Sequence, residues 1–143
     1  NCKYCNLNED IKHIFVECLK THTIWQYFHR FYSLINNSNI FTPLEHILTI
    51  SALKLKPKPK KLILTLTVTI ISEIWKSRNK LQFDNTFIPP NKIIENIKTQ
   101  LKTIIKTHFK VNKVNNTLNI FNDNFCTANA FCRVENGTLI WYL

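Results

Sequence analysis

The sequence predicts a mainly α-helical fold, in which a cysteine-rich N-terminal knuckle precedes a small helical bundle and a β-hairpin ends the chain. Apolar residues recur at helical spacing in three long segments, and three cysteines and a histidine lie within the first 18 residues. Near the C-terminus, Asn136-Gly137 separates two strand-like runs, which predicts a hairpin with a type I′ turn. With 143 residues and 45% hydrophobic content, the chain can form one small domain, with or without a satellite, but not two large cores.

The first long helix is predicted by its aromatic residues. From Thr23 onward apolar side chains repeat at helical spacing, and the polar run Asn36-Asn37-Ser38-Asn39 predicts the end of the helix. These side chains could stack on bases, as in proteins that bind single strands, but we expect them to form core. The aromatic face comprises Ile24, Trp25, Phe28, Phe31, Tyr32 and Ile35.

Prolines divide the middle of the chain. Thr42-Pro43-Leu44-Glu45 combines a cap residue, an N1 proline and a first-turn acid, which predicts a short helix over residues 43–53. Residues 54–61 contain two prolines among five lysines, which predicts an extended linker. The sequence therefore divides into a knuckle and aromatic-helix region (1–53), a basic linker (54–61), a two-helix basic region (62–113) and a C-terminal hairpin tail (114–143).

The segment after the linker carries two competing patterns. Between Leu64 and Ile70, apolar residues alternate with threonine, which by itself indicates a strand. The segment also continues for about twenty residues without a turn signal, which favours a helix. We therefore predict a helix whose apolar stripe consists of Leu62, Leu66, Ile70, Ile74, Ser77 and Leu81. Trp75, in the same helix, is expected to lie in the core of the protein.

A third long helix begins at Pro89-Pro90-Asn91. Its apolar side chains cluster on one side at about 100° per residue; they are Ile93, Ile94, Ile97, Leu101, Ile104 and Ile105. Four lysines spaced four residues apart are predicted to lie on the opposite side, in solvent; they are Lys98, Lys102, Lys106 and Lys110.

The positive charge of the chain is concentrated in its middle. The formal net charge is +10, and residues 51–113 contain thirteen lysines and Arg78 against three acids. Such asymmetry favours a polyanionic partner, RNA or DNA, because neutralised phosphates release counterions. Besides the lysine row, Arg78, Lys76 and Lys80 are candidates for phosphate contact, although a solvated lysine surface explains the charge about equally well.

The N-terminal cysteines have the spacing of a zinc site. Cys2, Cys5, His13 and Cys18 form the pattern C-x2-C-x7-H-x4-C. Two thiolates from one tight turn and two ligands from a following short helix suit tetrahedral Zn²⁺. Four protein ligands close the coordination shell, so the zinc is expected to be structural.

Two segments of the chain resemble a known family. Cys2-Lys3-Tyr4-Cys5, followed by residues 9–18 and Trp25, resembles the zinc-binding region found just after the polymerase domain of reverse transcriptases from non-long-terminal-repeat retrotransposons. Residues 74–83, with the sequence IWKSRNKLQF, resemble a second landmark of that family, downstream of the knuckle. Together the two landmarks cover most of residues 2–110.

The resemblance implies an accessory module that binds RNA template or target DNA beside an upstream reverse transcriptase domain. The alternative is a zinc-stapled protein interaction module, in which the aromatic helix docks on that polymerase domain and the lysines serve solubility. Because the chain begins Asn1-Cys2 without methionine, we expect it to be a piece of a longer protein.

The chain is not expected to be an enzyme. A single glycine excludes phosphate-binding loops, and no Asp-Asp pair is present for two-metal polymerase chemistry. Asp84 with Glu95-Asn96-Ile97-Lys98 is one residue out of register for a restriction-like nuclease, and Asn122-Asp123-Asn124-Phe125 lacks the Asp-Gly-Ser signature of ribonuclease H.

The remaining signals concern the tail and the compartment. Cys126 and Cys132 lack a nearby histidine, so buried thiols are preferred to a second metal site or a disulfide. The longest apolar run falls short of the roughly 18 residues that span a bilayer. We therefore expect no membrane contact and an intracellular location, in the nucleus, the cytoplasm or both.

Overall fold

A computed structural model describes residues 1–36, 57–108, 131–135 and 138–143. Most of these residues are helical, which confirms the mainly α fold class. A π-helical turn (His13–Glu17) leads into α1 (Leu19–Asn36), followed by α2 (Pro57–Asp84) and α3 (Pro90–His108). Two short strands, β1 (Cys132–Glu135) and β2 (Thr138–Trp141), end the chain. The helix predicted over residues 43–53 lies outside the described residues.

The three α-helices pack around one core. The aromatic face of α1 is buried as predicted: Trp25 and four neighbouring apolar side chains are at most 7% exposed. Burial of large apolar side chains is the main stabilising contribution to such a core, roughly 1.5–3 kcal/mol for each. Further fully buried members come from α2 and α3; they are Leu62, Ile63, Leu66, Ile70, Ile93, Ile97, Leu101 and Ile105.

The segment with competing patterns forms a helix, α2, as predicted. This is possible because its threonine hydroxyls form hydrogen bonds within the bundle. Thr65 donates its hydroxyl to the carbonyl of Lys61, and Thr69 donates to Thr65. Thr67 shares a buried hydrogen bond of 2.8 Å with the Tyr32 hydroxyl on α1. These bonds satisfy polar groups that would otherwise disfavour burial, so β-branched residues are tolerated in the helix.

The linker prediction is wrong for residues 57–61. These residues form the first turns of α2, which begins at Pro57. Proline is tolerated in a first helical turn because the N–H groups there have no partner within the helix, and its fixed φ suits helical geometry. Residues 54–56 lie outside the described part of the chain.

A buried carboxylate joins α2 to α3. Glu73 is 6% exposed and accepts hydrogen bonds from Gln100 at 2.6 Å, Lys76 at 2.8 Å and Asn96 at 3.4 Å. Burial opposes ionisation of Glu73, but the Lys76 and Gln100 donors outweigh it, so the pKa of Glu73 lies below its ordinary value. Because Gln100 and Asn96 of α3 both donate to Glu73 of α2, these hydrogen bonds fix the rotation of α3 relative to α2.

The C-terminal strands pair antiparallel, with Cys132 opposite Trp141 and Glu135 opposite Thr138. Preceding them, Phe131 is fully buried and stacks on Phe31 of α1, with ring centroids 5.1 Å apart. The end of the chain therefore contributes to the helical core. The predicted turn at Asn136-Gly137 and the predicted strand residues 125–130 lie outside the described residues, so those details of the hairpin stay predictions.

Candidate metal centre

The four predicted metal ligands lie together in space. One ligand atom from each of Cys2, Cys5, His13 and Cys18 lies within 4.8 Å of the others. The Cys2 and Cys18 sulfurs are 4.0 Å apart, and the Cys5 sulfur is 3.1 Å from Nε2 of His13. Around a tetrahedral Zn²⁺ with Zn–S bonds of about 2.3 Å, two sulfurs stand roughly 3.8 Å apart. The group could therefore hold a metal ion.

A tight turn presents the first two cysteines. The N–H of Asn6 donates to the Cys2 carbonyl, and the N–H of Cys2 donates to the Leu7 carbonyl, both at 2.8 Å. Asn6 closes this turn with a φ of 60°, in the left-handed region. Asparagine is among the few residues that adopt this region readily, so a chain with one glycine can still form the turn.

The spacing of His13 and Cys18 requires a departure from the α-helix. Five residues of regular α-helix would separate the two side chains by about 140° around the axis. Here the N–H of Cys18 donates to the His13 carbonyl at 2.9 Å, so residues 13–17 form a π-helical turn. Cys18 itself is extended, with a ψ of 131°, and interrupts the helix before α1. Such π-turns recur at functional sites, and this one brings His13 and Cys18 to one centre.

Side chains of α1 stabilise the π-helical turn. Trp25 donates its indole N–H to the Phe15 carbonyl at 2.7 Å, and Thr21 donates its hydroxyl to the Ile14 carbonyl at 2.8 Å. At the start of the turn, the Asp10 carboxylate accepts the His13 N–H at 2.7 Å. These bonds satisfy backbone groups around the irregular turn. The tryptophan that follows the knuckle in sequence is therefore part of the support for its geometry.

The thiols of the cluster differ in their tendency to ionise. Burial raises the pKa of Cys2, but hydrogen bonds from the backbone N–H groups of Tyr4 and Cys5 outweigh burial and lower that pKa to about 7. Burial raises the pKa of Cys18 to about 11, and the neighbouring Cys2 adds to the increase. Metal coordination deprotonates thiols outright, so a bound cation would favour the thiolate of both residues.

A buried lysine lies next to the cluster. Lys20 is 9% exposed, and its ammonium group donates to the Tyr4 hydroxyl and, at 2.9 Å, to the Ser77 hydroxyl. It also lies 3.6 Å from the centroid of the Tyr4 ring. Burial lowers the pKa of Lys20 to about 8, while Cys18 and Cys2 oppose this decrease.

The knuckle packs on the C-terminal half of α2, which contains residues 74–83. Arg78 forms an ion pair with Glu9 at 2.5 Å, and the two side chains are only 21% and 14% exposed. Lys3, between the two cysteines of the tight turn, donates to the carbonyls of Leu81 and Gln82 at 3.3 and 3.1 Å. A cation at a helix C-terminus is favourable because the last carbonyls there lack partners. The N-terminal cysteine segment and residues 74–83 therefore contact each other.

Three of the seven predicted nucleic-acid residues, Arg78, Lys76 and Lys98, form ion pairs with acidic side chains. Arg78 is paired with Glu9 and lies 5.5 Å from the centroid of the Trp75 ring, so it fixes the knuckle to α2. Lys76 is paired with Glu73 at 2.8 Å, although its side chain remains 58% exposed. Lys80 is exposed near the end of α2.

The lysine row of α3 is not aligned along the solvent face as predicted. Lys98 is only 16% exposed; it pairs with Glu95 at 2.7 Å and lies 5.9 Å from the Tyr27 ring centroid. Lys102 is half-buried, Lys106 is exposed, and Lys110 lies outside the described residues. A spacing of four residues advances about 40° past a full helical turn, so the row winds from the edge of the core into solvent.

Two aromatic predictions have opposite outcomes. The aromatic face of α1 is buried as expected, which leaves the docking alternative without the surface that it assumed. The prediction that Trp75 lies in the core is wrong, because Trp75 is 44% exposed and stacks on Phe15 with ring centroids 6.1 Å apart. Trp75 follows the buried Leu66 by about two and a half helical turns, which places it on the opposite face of α2. Its exposure therefore follows from helical periodicity.

The sequence did not predict that Lys3 and Glu9 of the knuckle, or Lys20 at the start of α1, contact α2. Their partners in α2 are 57 to 79 residues away in the chain. Spacing within one element cannot predict such contacts, because they join residues far apart in the sequence.

Comparison with protein-family models, with curated proteins and with solved structures finds no match for this chain. Among the helices that the structure describes, none combines the length and the apolar character needed to cross a membrane.

Proposed function

We propose that this chain is a structural-zinc accessory module of a non-long-terminal-repeat retrotransposon reverse transcriptase, and that it binds RNA template or target DNA. The observation that carries the proposal is the convergence of Cys2, Cys5, His13 and Cys18 within 4.8 Å. Three thiolates and one imidazole suit Zn²⁺, and four protein ligands leave no position for a catalytic water. The metal therefore stabilises the fold and takes no part in bond chemistry.

The contacts of the knuckle support a structural role for the metal. The π-helical turn, the Arg78–Glu9 pair and the Lys3 cap all depend on residues 1–18 holding one shape. That segment is too short to form a core of its own, so metal binding supplies free energy for its folding. The zinc thus also fixes the end of α2, which carries the second landmark.

Elemental analysis of the purified chain tests the metal assignment. We expect one zinc per chain, and we expect the double variant Cys5→Ser/Cys18→Ser to lose it. The matched control is Cys126→Ser, which leaves all four ligands intact. Absence of metal in the parent, or an unchanged zinc content in the double variant, would show that the cluster is not a zinc site.

The nucleic-acid surface is assigned to the lysines of α3 that extend into solvent. Lys102 is half-buried and Lys106 is exposed, whereas Lys98 is occupied by Glu95. Lys110 continues the row by its sequence position, and Lys80 with the exposed part of Lys76 could extend the surface from α2. Their ammonium groups would bind phosphates as point charges, without reading sequence.

Salt dependence of RNA binding tests this assignment. Log affinity for a single-stranded RNA should fall with log salt at a slope of about −0.7 per phosphate contacted. Lys102→Gln/Lys106→Gln should make that slope shallower by up to about 1.4, the contribution of two contacts. The matched control, Lys60→Gln/Lys61→Gln, removes the same charge from the start of α2 and should change the slope less. If the control loses affinity and the α3 variant binds normally, the site assignment is wrong; if the parent does not bind at low salt, the function is wrong.

A further inference from the structure

A second apolar stripe lies on the solvent side of α2. Leu64 and Val68 are 47% and 55% exposed, Ile71 is half-buried and Trp75 is 44% exposed. Successive members are separated by four, three and four residues, the spacing of a seam that receives another helix. Over this length the stripe extends about 16 Å along the helix axis. A contiguous apolar surface of this kind marks an interaction site more often than scattered exposed residues do.

The end of the stripe has the character of a binding hot spot. Trp75 is held on one side by Phe15 of the π-helical turn, in a stacked arrangement with an interplanar angle of 29°. The guanidinium of Arg78 lies 5.5 Å from its ring centroid. A large aromatic side chain that is already fixed loses little conformational entropy on binding, and tryptophan is enriched among the residues that dominate interface energies.

The charge around the stripe selects the partner. The sequence of α2 contains six basic residues and two acidic ones, and two of the bases, Lys76 and Arg78, are ion-paired with Glu73 and Glu9. Glu73 is buried against α3, and Asp84 lies at the end of the helix, about 170° around the axis from the stripe. Lys60 and Lys61 border the first turns of the stripe by their position on the helix. A second copy of α2 would place bases against bases, which is unfavourable, whereas an acidic helix would be attracted.

We propose that Leu64, Val68, Ile71 and Trp75 form a docking surface for an amphipathic helix with an apolar seam and acidic flanks. This surface is separate from the lysines of α3 and from the metal ligands. The partner helix places its apolar residues against the stripe, and its carboxylates face Lys60 and Lys61, the bases that border the stripe. The mode of recognition is that of an amphipathic helix in an apolar groove, in which the apolar seam supplies most of the affinity.

Fluorescence anisotropy with two synthetic peptides of about 21 residues, three heptads in length, tests the proposal. Both peptides carry leucine at the a and d positions; one has glutamate at the flanking positions and the other has lysine. The zinc-loaded chain should bind the glutamate peptide, and Val68→Asp should weaken binding at least about tenfold, because it places a charge in the apolar seam. Thr103→Asp, the control, adds the same charge to an exposed position of α3 and should keep affinity within about twofold.

Four outcomes would overturn the proposal. Equal affinity of Val68→Asp and Thr103→Asp would mean that the peptide binds through net charge elsewhere. Equal affinity of the two peptides would show that the partner helix need not be acidic. If the parent forms a dimer in sedimentation velocity and Val68→Asp abolishes it, the stripe binds a second copy of the chain and not an acidic helix. Loss of RNA affinity in Val68→Asp, with zinc content and helical circular dichroism unchanged, would assign the stripe to nucleic acid.

Discussion

The ion pair between Arg78 and Glu9 allows a quantitative test of how the knuckle is attached to α2. The two side chains are 21% and 14% exposed, and the carboxylate oxygen accepts from two guanidinium nitrogens, at 2.5 and 3.2 Å. Exposed ion pairs contribute about 0–1 kcal/mol, whereas hydrogen bonds to charged groups that are shielded from water contribute about 1.5–3 kcal/mol. The Arg78–Glu9 pair is closer to the shielded class, because both side chains are mostly buried. Arg78→Met should therefore lower the free energy of unfolding by about 2–3 kcal/mol, because it leaves the Glu9 carboxylate mostly buried without its cation.

A double-mutant cycle isolates the contribution of the pair. Urea unfolding of the zinc-loaded parent, Arg78→Met, Glu9→Gln and the double variant gives the coupling energy between the two side chains, which should be about 1.5–2.5 kcal/mol. Exchange of backbone amides should rise both in residues 1–18 and in the last turns of α2. A coupling energy below about 0.5 kcal/mol would contradict the predicted shielding of the pair, since it falls within the range of exposed pairs. If Arg78 instead contacts phosphate, Arg78→Met would change the slope of log RNA affinity against log salt and leave the free energy of unfolding unaltered.

Two further substitutions test the supports of the core and of the metal centre. Glu73→Gln should lower the free energy of unfolding at pH 7 by about 1–3 kcal/mol, because it weakens the hydrogen bonds from Lys76 and Gln100. The pKa of Glu73 is depressed on folding, so its ionised contribution is present above the unfolded value of 4.5 and is lost as the pH falls through the folded pKa. The difference between parent and variant in urea unfolding should accordingly shrink below pH 4.5; a constant difference would contradict the assignment. Trp25→Phe removes the donor to the Phe15 carbonyl and should lower the free energy of unfolding by about 1–3 kcal/mol, with faster loss of zinc to a chelator. Trp141→Phe is the control. Equal rates of zinc loss in the two variants would show that Trp25 does not support the π-helical turn.

Ser77, within residues 74–83, connects α2 both to α1 and to the knuckle. Ser77 accepts a hydrogen bond from Lys20 and donates its own hydroxyl to the Ile74 carbonyl, so one small buried side chain joins α1 to α2. Its backbone carbonyl accepts the Tyr4 hydroxyl at 3.3 Å. A larger residue at position 77 would separate the knuckle from the helix, since the position is 2% exposed.

Several features were predictable because they depend on local periodicity. The positions of α1, α2 and α3 follow from apolar repeats, and the ligand set follows from the spacing of three cysteines and one histidine. Even the competing strand pattern in α2 was resolved by segment length. The start of α2 at Pro57 was missed because two prolines favour extended chain in general, and only their place in the first helical turn makes them compatible with a helix.

The residues that can bind a metal and the apolar faces of the helices are predictable from the amino-acid sequence, because both depend on residue type and on spacing within one element. The use of the polar residues depends instead on how the helices pack. Arg78 is occupied by Glu9, Lys98 by Glu95, and Trp75 lies at the surface beside Phe15. A charged side chain becomes available to a partner only if no opposite charge packs beside it, and that condition depends on how helices distant in sequence are rotated against one another.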